Sequence, residues 1–123
     1  MIPVKQNLFG YGKGNCVAAC VASILELPIE DVPNFIEFDN YKQKIQDFLN
    51  ARGYMMIFME FYGKTGECDG KELDKAYVGY NDLYVIICGL SHRKRDDGKN
   101  MYHAVVAQHN GYGFKMVHDP HPD

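Results

Sequence analysis

No stretch of this chain approaches the roughly 20 consecutive apolar residues that a membrane-spanning helix needs, so no span is expected. The first residues, Met1-Ile2-Pro3-Val4-Lys5-Gln6, lack the charged and apolar regions of a signal peptide, and the expected location is the cytoplasm. There is no low-complexity stretch and no internal repeat. An excess of positive charge is missing too: the formal net charge of -3 speaks against a general binder of nucleic acid or of a membrane surface. The one basic cluster, His92-Arg93-Lys94-Arg95, runs straight into Asp96-Asp97, so its field is partly cancelled and it reads as a solvated loop.

What is present is ordinary for a globular protein: 123 residues, 46% of them hydrophobic and 24% charged. That length predicts a single domain over residues 1–123 with one core. Folding a chain of this size buries roughly two-thirds of its surface, enough to be stable without staples. In a reducing compartment the four cysteines are not expected to form disulfides, and reactive or metal-bound thiols become the question.

Pro3 marks an extended start, followed by the glycine-rich Gly10-Tyr11-Gly12-Lys13-Gly14. Val17, Cys20, Val21, Ile24 and Leu25 then share one helical face, which predicts a helix over 16–27 with Asn15 as its N-cap and Pro28 as its bound. Residues 28–34 predict a turn or short helical bend. A second helix is expected over 39–52, with Tyr41, Ile45, Phe48 and Leu49 inward and Gly53 as its stop. Residues 54–61 have the length and character of a strand. A short helix is expected over 71–77, then strands over 83–88, 101–108 and 113–118, with Asn110-Gly111 as a hairpin signal. Helices first and antiparallel strands later predict an α+β fold.

Cys16 is placed by this reading at the first helical position, where unpaired N–H groups and the helix dipole favour a thiolate. The same N–H groups can hold an oxyanion, although a small core residue also suits a helix start. Cys20 lies on the apolar stripe and Cys88 in the run Val85-Ile86-Ile87-Cys88, so both read as core thiols; Cys68 reads as an exposed loop thiol. A nucleophilic thiol needs a base, and the base needs an acceptor to orient it. His103 leads the apolar strand His103-Ala104-Val105-Val106, and Asp119 ends the next strand just before Pro120. Pairing through the hairpin brings both to one sheet edge, where Asp119 can fix the tautomer of His103. The alternative for His103 is a structural histidine. His92 and His109 read as loop residues. Cys16 and Cys20 lack a second ligand pair for zinc, and His118 with His121 offers a further metal reading without a compact partner set. The Gly10-x-Gly12-x-Gly14 run lacks the Gly-Lys-Ser/Thr ending of a phosphate loop.

The stretch Gly14-Asn15-Cys16-Val17-Ala18-Ala19-Cys20-Val21-Ala22-Ser23-Ile24-Leu25-Glu26-Leu27-Pro28, continuing to Val32-Pro33-Asn34-Phe35, resembles the start of small phage and bacterial papain-like cysteine peptidase domains. These are similar in turn to the bacteriocin-processing peptidase domains of peptide exporters. The second half, His103-Ala104-Val105-Val106 and Val117-His118-Asp119-Pro120-His121-Pro122, resembles the same family. The resemblance implies a papain-like fold with the nucleophile on an N-terminal helix packed against a C-terminal antiparallel sheet. It assigns Cys16 as nucleophile, His103 as base and Asp119 as orienting residue. It also implies a glutamine amide at the oxyanion hole. Gln6 is the upstream glutamine, further from Cys16 than is usual in the family, with the glycine-rich stretch between.

These readings converge on a thiol hydrolase (peptidase, isopeptidase or deamidase-like) that uses a Cys16–His103–Asp119 catalytic triad on a peptide or protein substrate, without cofactor or metal. A non-catalytic module that holds a peptide or protein in a papain-like cleft is the competing class, and a small metal-binding protein the third.

Overall fold

A computed structural model describes residues 1–58 and 83–122. Among these the architecture is α+β: helices α1 (Cys16–Leu25) and α2 (Tyr41–Asn50), then strands β1 (Tyr84–Lys94), β2 (Asn100–His109) and β3 (Phe114–His118). The strands form one antiparallel sheet in the order β1-β2-β3. The helix expected over 71–77, Cys68 and the end of the strand expected over 54–61 lie outside the described residues.

Helix α1 is buried more completely than its apolar stripe predicts. Every residue from Ala18 to Ser23 is buried, and a helix covered all round lies at the centre of a fold rather than on its surface. One side of it packs with Val32, Phe35, Ile45 and Leu49, from the 3-10 turns Ile29–Asp31 and Phe35–Glu37 and from α2. The other side meets β2 through Cys20, Ala104 and Val106. Ala18, Ala19, Cys20, Ala22 and Ser23 are small enough for both layers to approach its backbone closely. The helix ends at Leu25, two residues short of its expected end, because Glu26 turns into the left-handed region (φ 58). In α2, Ile45 and Leu49 are buried as expected, whereas Tyr41 is exposed, and Gly53 (φ 80) takes the left-handed turn beyond the helix.

The expected β2–β3 hairpin is present. Asn110 Oδ1 accepts the N–H groups of Tyr112 and Gly113, and Gly111 supplies the positive φ of 95. Three expectations change. His109 is not a loop residue but the buried last residue of β2. His92, Arg93 and Lys94 are not loop residues: β1 runs on through them, and Asp96-Asp97-Gly98 makes the turn into β2. Residues 54–58 are in no strand. The Gln46 amide accepts the Met56 N–H at 3.0 Å and donates to the Met56 carbonyl, doing with a side chain what a neighbouring strand would do.

A buried polar clasp ties the chain's first residues to this core. Ser23 Oγ accepts the Val4 N–H at 2.9 Å and donates to the Ala19 carbonyl at 2.8 Å. His118 Nε2 donates to the Val4 carbonyl at 2.8 Å, which gives this buried histidine a structural place. Ser23→Ala leaves the Val4 N–H without its acceptor in the interior, at a cost of about 1–3 kcal/mol. The expected readout is a lower urea midpoint at unchanged slope.

Candidate active site

Asn15 stands at the N-cap of α1 but makes no capping hydrogen bond with its side chain. Its Oδ1 turns away to accept the N–H groups of Asn7 at 3.1 Å and Leu8 at 3.0 Å, and its Nδ2 donates to Asn7 Oδ1 at 2.7 Å. The first-turn amides of α1 are thereby left to the residue that follows, Cys16. The Val17 N–H is directed at the Cys16 sulfur.

A second donor comes from the sheet. Strand β3 pairs with β2 only as far as Val106 opposite His118, so β2 has lost that neighbour by the time it reaches Ala104 and His103. The Ala104 N–H on this stretch donates to the Cys16 sulfur. Where β3 departs, Asp119 turns back and its Oδ1 lies 2.6 Å from His103 Nε2. The carboxylate takes this nitrogen, so Nδ1 is the one left for the hydrogen bond between His103 and Cys16. The side chains of His103 and Asp119 are 12% and 28% exposed, sheltered but open to a substrate.

The electrostatics follow from these contacts. Burial pushes the Cys16 thiol up, but the His103 hydrogen bond, the Ala104 N–H, the His103 charge and the Val17 N–H together bring it below its ordinary value. His103 is raised above the usual imidazole range, first by its hydrogen bond with Cys16, against burial and with the help of Asp119. Burial raises the Asp119 carboxyl, yet the His103 hydrogen bond, the His121 N–H and the charges of His103 and Arg93 leave it lowered. A lowered thiol beside a raised imidazole favours the thiolate–imidazolium pair. Cys20, one turn along α1, goes the other way: burial, with Cys16 nearby, raises its pKa and keeps it a neutral core thiol. Cys88 differs from its expected core position and is exposed.

Gln6, ten positions before Cys16 in the sequence, lies beside Gly14. The glycine-rich stretch loops out: Gly14 N donates to Gly10 O at 2.9 Å and Asn15 N to Leu8 O at 3.2 Å, closing the excursion at its base. Gln6 Nε2 ends 3.8 Å from where a Cβ on Gly14 would stand, and donates one hydrogen to Leu8 O at 2.9 Å. A side chain on Gly14 would also press on the Gly10 carbonyl at 3.3 Å, so the loop is packed closely here. Gln6 is buried, and its Oε1 has no hydrogen-bond partner among the described residues.

Sequence reasoning missed several members of this arrangement. The Ala104 N–H carries no side-chain signal. Lys5 Nζ donates to the carbonyls of Asp119 and His121, both at 2.9 Å, and fixes the turn that carries the carboxylate. Arg93, at the end of β1, adds its charge beside Asp119. The pairing of His118 with His121 as metal ligands does not form: His118 is committed to Val4, and among the described residues no three His, Cys, Asp or Glu side chains are placed to hold a metal. No described helix is long and apolar enough to cross a membrane. No protein family, curated protein or solved structure matches this chain.

The pH dependence of Cys16 alkylation by iodoacetamide tests the pair. Only the thiolate reacts, so a lowered pKa brings the rise in rate to a pH below the ordinary thiol value of about 8.5. His103→Ala removes the hydrogen bond and the charge that lower it and leaves the burial that raises it. The expected result is a rate curve displaced to higher pH in His103→Ala relative to the wild type.

Proposed function

We propose that this chain is a cysteine-dependent hydrolase of the papain-like kind, acting on an amide bond of a peptide or protein through Cys16, His103 and Asp119. The observation that carries this reading is the His103 ring, engaged by Asp119 on one nitrogen and hydrogen-bonded to Cys16 with the other. A structural histidine needs one good partner, whereas a base that serves a nucleophile needs this two-sided arrangement. The placement of Cys16 at the start of a central helix packed on the antiparallel sheet supports the papain-like architecture.

In the reaction the Cys16 thiolate attacks the amide carbonyl carbon, forming a C–S bond and a tetrahedral oxyanion. First-turn N–H groups of α1 stabilise that oxygen, with the second hydrogen of the Gln6 amide as a further donor. As the intermediate collapses, the C–N bond breaks and the His103 imidazolium gives its Nδ1 proton to the leaving amine. Water then attacks the thioester, with His103 taking its proton, and the C–S bond breaks to release the acid and restore the thiolate–imidazolium pair. Asp119 stays ionised throughout and keeps the imidazole in register. The substrate range takes in peptide bonds, isopeptide bonds and side-chain amides. The bacterial or bacteriophage setting rests on the family resemblance, and a cytoplasmic location on the character of the first residues.

A module that only holds a peptide is distinguished by turnover. Against a mixed peptide library, Cys16→Ala is expected to abolish hydrolysis of every amide the wild type cleaves, with an unchanged circular dichroism spectrum. Full turnover by that variant would overturn the proposal. Gln6→Ala is expected to lower kcat by about 10²–10³, the range for losing one oxyanion donor, with a smaller change in KM.

A further inference from the structure

Tyr11 stands at the tip of the glycine-rich excursion and meets the arm that β1 and β2 extend past the site. The Arg95 guanidinium lies over its ring, 3.6 Å from the centroid. The foot of the excursion is anchored. Lys13 N and Gly14 N donate to the Gly10 carbonyl at 3.2 and 2.9 Å, and Asn34 Nδ2 donates to the Lys13 carbonyl at 2.9 Å. The tip has more freedom. Gly10 (φ 102) and Gly12 (φ 71) flank Tyr11, and the space within 4 Å of where a Cβ on either would stand is open. Tyr11 is 65% exposed, so these two glycines can swing its ring without moving the foot.

Arg95 is the firmer partner. Its Nη2 pairs with Asp97 Oδ2 at 3.0 Å, its N–H donates to the Lys99 carbonyl at 2.8 Å, and its carbonyl accepts the Gly98 N–H at 2.9 Å. It is a fixed post at the far end of the arm, where β1 turns into β2. From Lys99, which faces it, to His103 is roughly 13 Å of extended chain.

The excursion leads to Cys16 and the arm leads to His103, and those two are joined by their own hydrogen bond. The chain thus closes a ring, with the Cys16–His103 contact on one side and the Tyr11–Arg95 contact on the other. Behind Cys16 and His103 lies the packed interface of α1 with β2, so a substrate reaches the thiol from the solvent side, where Tyr11 stands. An extended chain measures about 5 Å by 10 Å across. It fits such an opening end-on, whereas a folded segment does not.

We propose that the Tyr11–Arg95 contact is a strap over the substrate cleft, so that an extended chain end is threaded to Cys16 while a folded segment enters only when the strap opens. This rests on the thiol-hydrolase reading above and narrows its substrate class to terminal or unfolded segments. A cation over an aromatic face at an exposed site is a weak contact, so the strap opens and recloses unaided. Selection is then by rate of access.

The test compares the rates at which Cys16 is alkylated by iodoacetamide and by iodoacetamide linked to a small folded protein, each followed by mass spectrometry of the Cys16 peptide. The ratio of the bulky to the small rate reads access alone, because the thiol is the same in both. Tyr11→Ala and Arg95→Ala are each expected to raise that ratio about fivefold, the most that a surface contact of this kind holds closed, with the iodoacetamide rate unchanged. Tyr11→Phe keeps the aromatic face and is expected to keep the wild-type ratio. An unchanged ratio in either alanine variant overturns the proposal. So does an equal rise in both rates, because the contact would then act on the thiol and not on access. Iodoacetamide pH profiles that coincide for wild type and His103→Ala overturn the thiol-hydrolase reading, and this proposal with it.

Discussion

Helix α1 has no exposed face over its middle turns, and the site takes its geometry from that enclosure. A helix held between α2 with the 3-10 turns on one side and β2 on the other can neither slide nor rotate without opening a packed layer. Its first residue is therefore delivered to a fixed point beside β2. Small side chains are the means: larger ones at Ala19 or Ala22 would push the layers apart and carry the Cys16 sulfur away from the Ala104 N–H.

The sheet contributes by ending early. While β3 pairs with β2, the backbone groups between them serve the ladder; beyond His118 the two part. That divergence does two things at one place. It leaves the Ala104 N–H to the thiol, and it swings Asp119 round to the far nitrogen of His103. The Cys16 thiol, the His103 imidazole and the Asp119 carboxylate thus come from three separate elements that meet where a regular strand pair stops. Irregular structure at this point is what lets polar side chains replace ladder hydrogen bonds.

Much of this was legible in the chain. Helical spacing from Val17 to Leu25 marked α1, Asn110-Gly111 marked the hairpin, and the hairpin alone implied that His103 and Asp119 share an edge. Other features had no local signature. Asn15 has the chemistry of an N-cap, and only the path of Asn7 and Leu8 shows that its side chain is engaged elsewhere. The charges from His92 to Lys94 suit solvent in a loop as well as in an exposed strand arm, so composition could not separate the two. Residues 54–58 have strand character, but strand formation depends on a partner, and the Gln46 side chain fills that role. The linear spacing of Gln6 from Cys16 does not show the excursion of the glycine-rich stretch, which closes at its base and leaves Gln6 beside Gly14.

The clasp between the first residues and the last turn has a bearing on how the protein comes into being. Lys5 reaches His121 across 116 positions, and Val4 meets His118 across 114. Closing so long a loop costs only slowly more with length, but it cannot happen before both ends exist. During synthesis Cys16 is made well before His103 and Asp119, so the hydrogen bonds that lower its thiol form only once that later stretch of chain has folded onto α1.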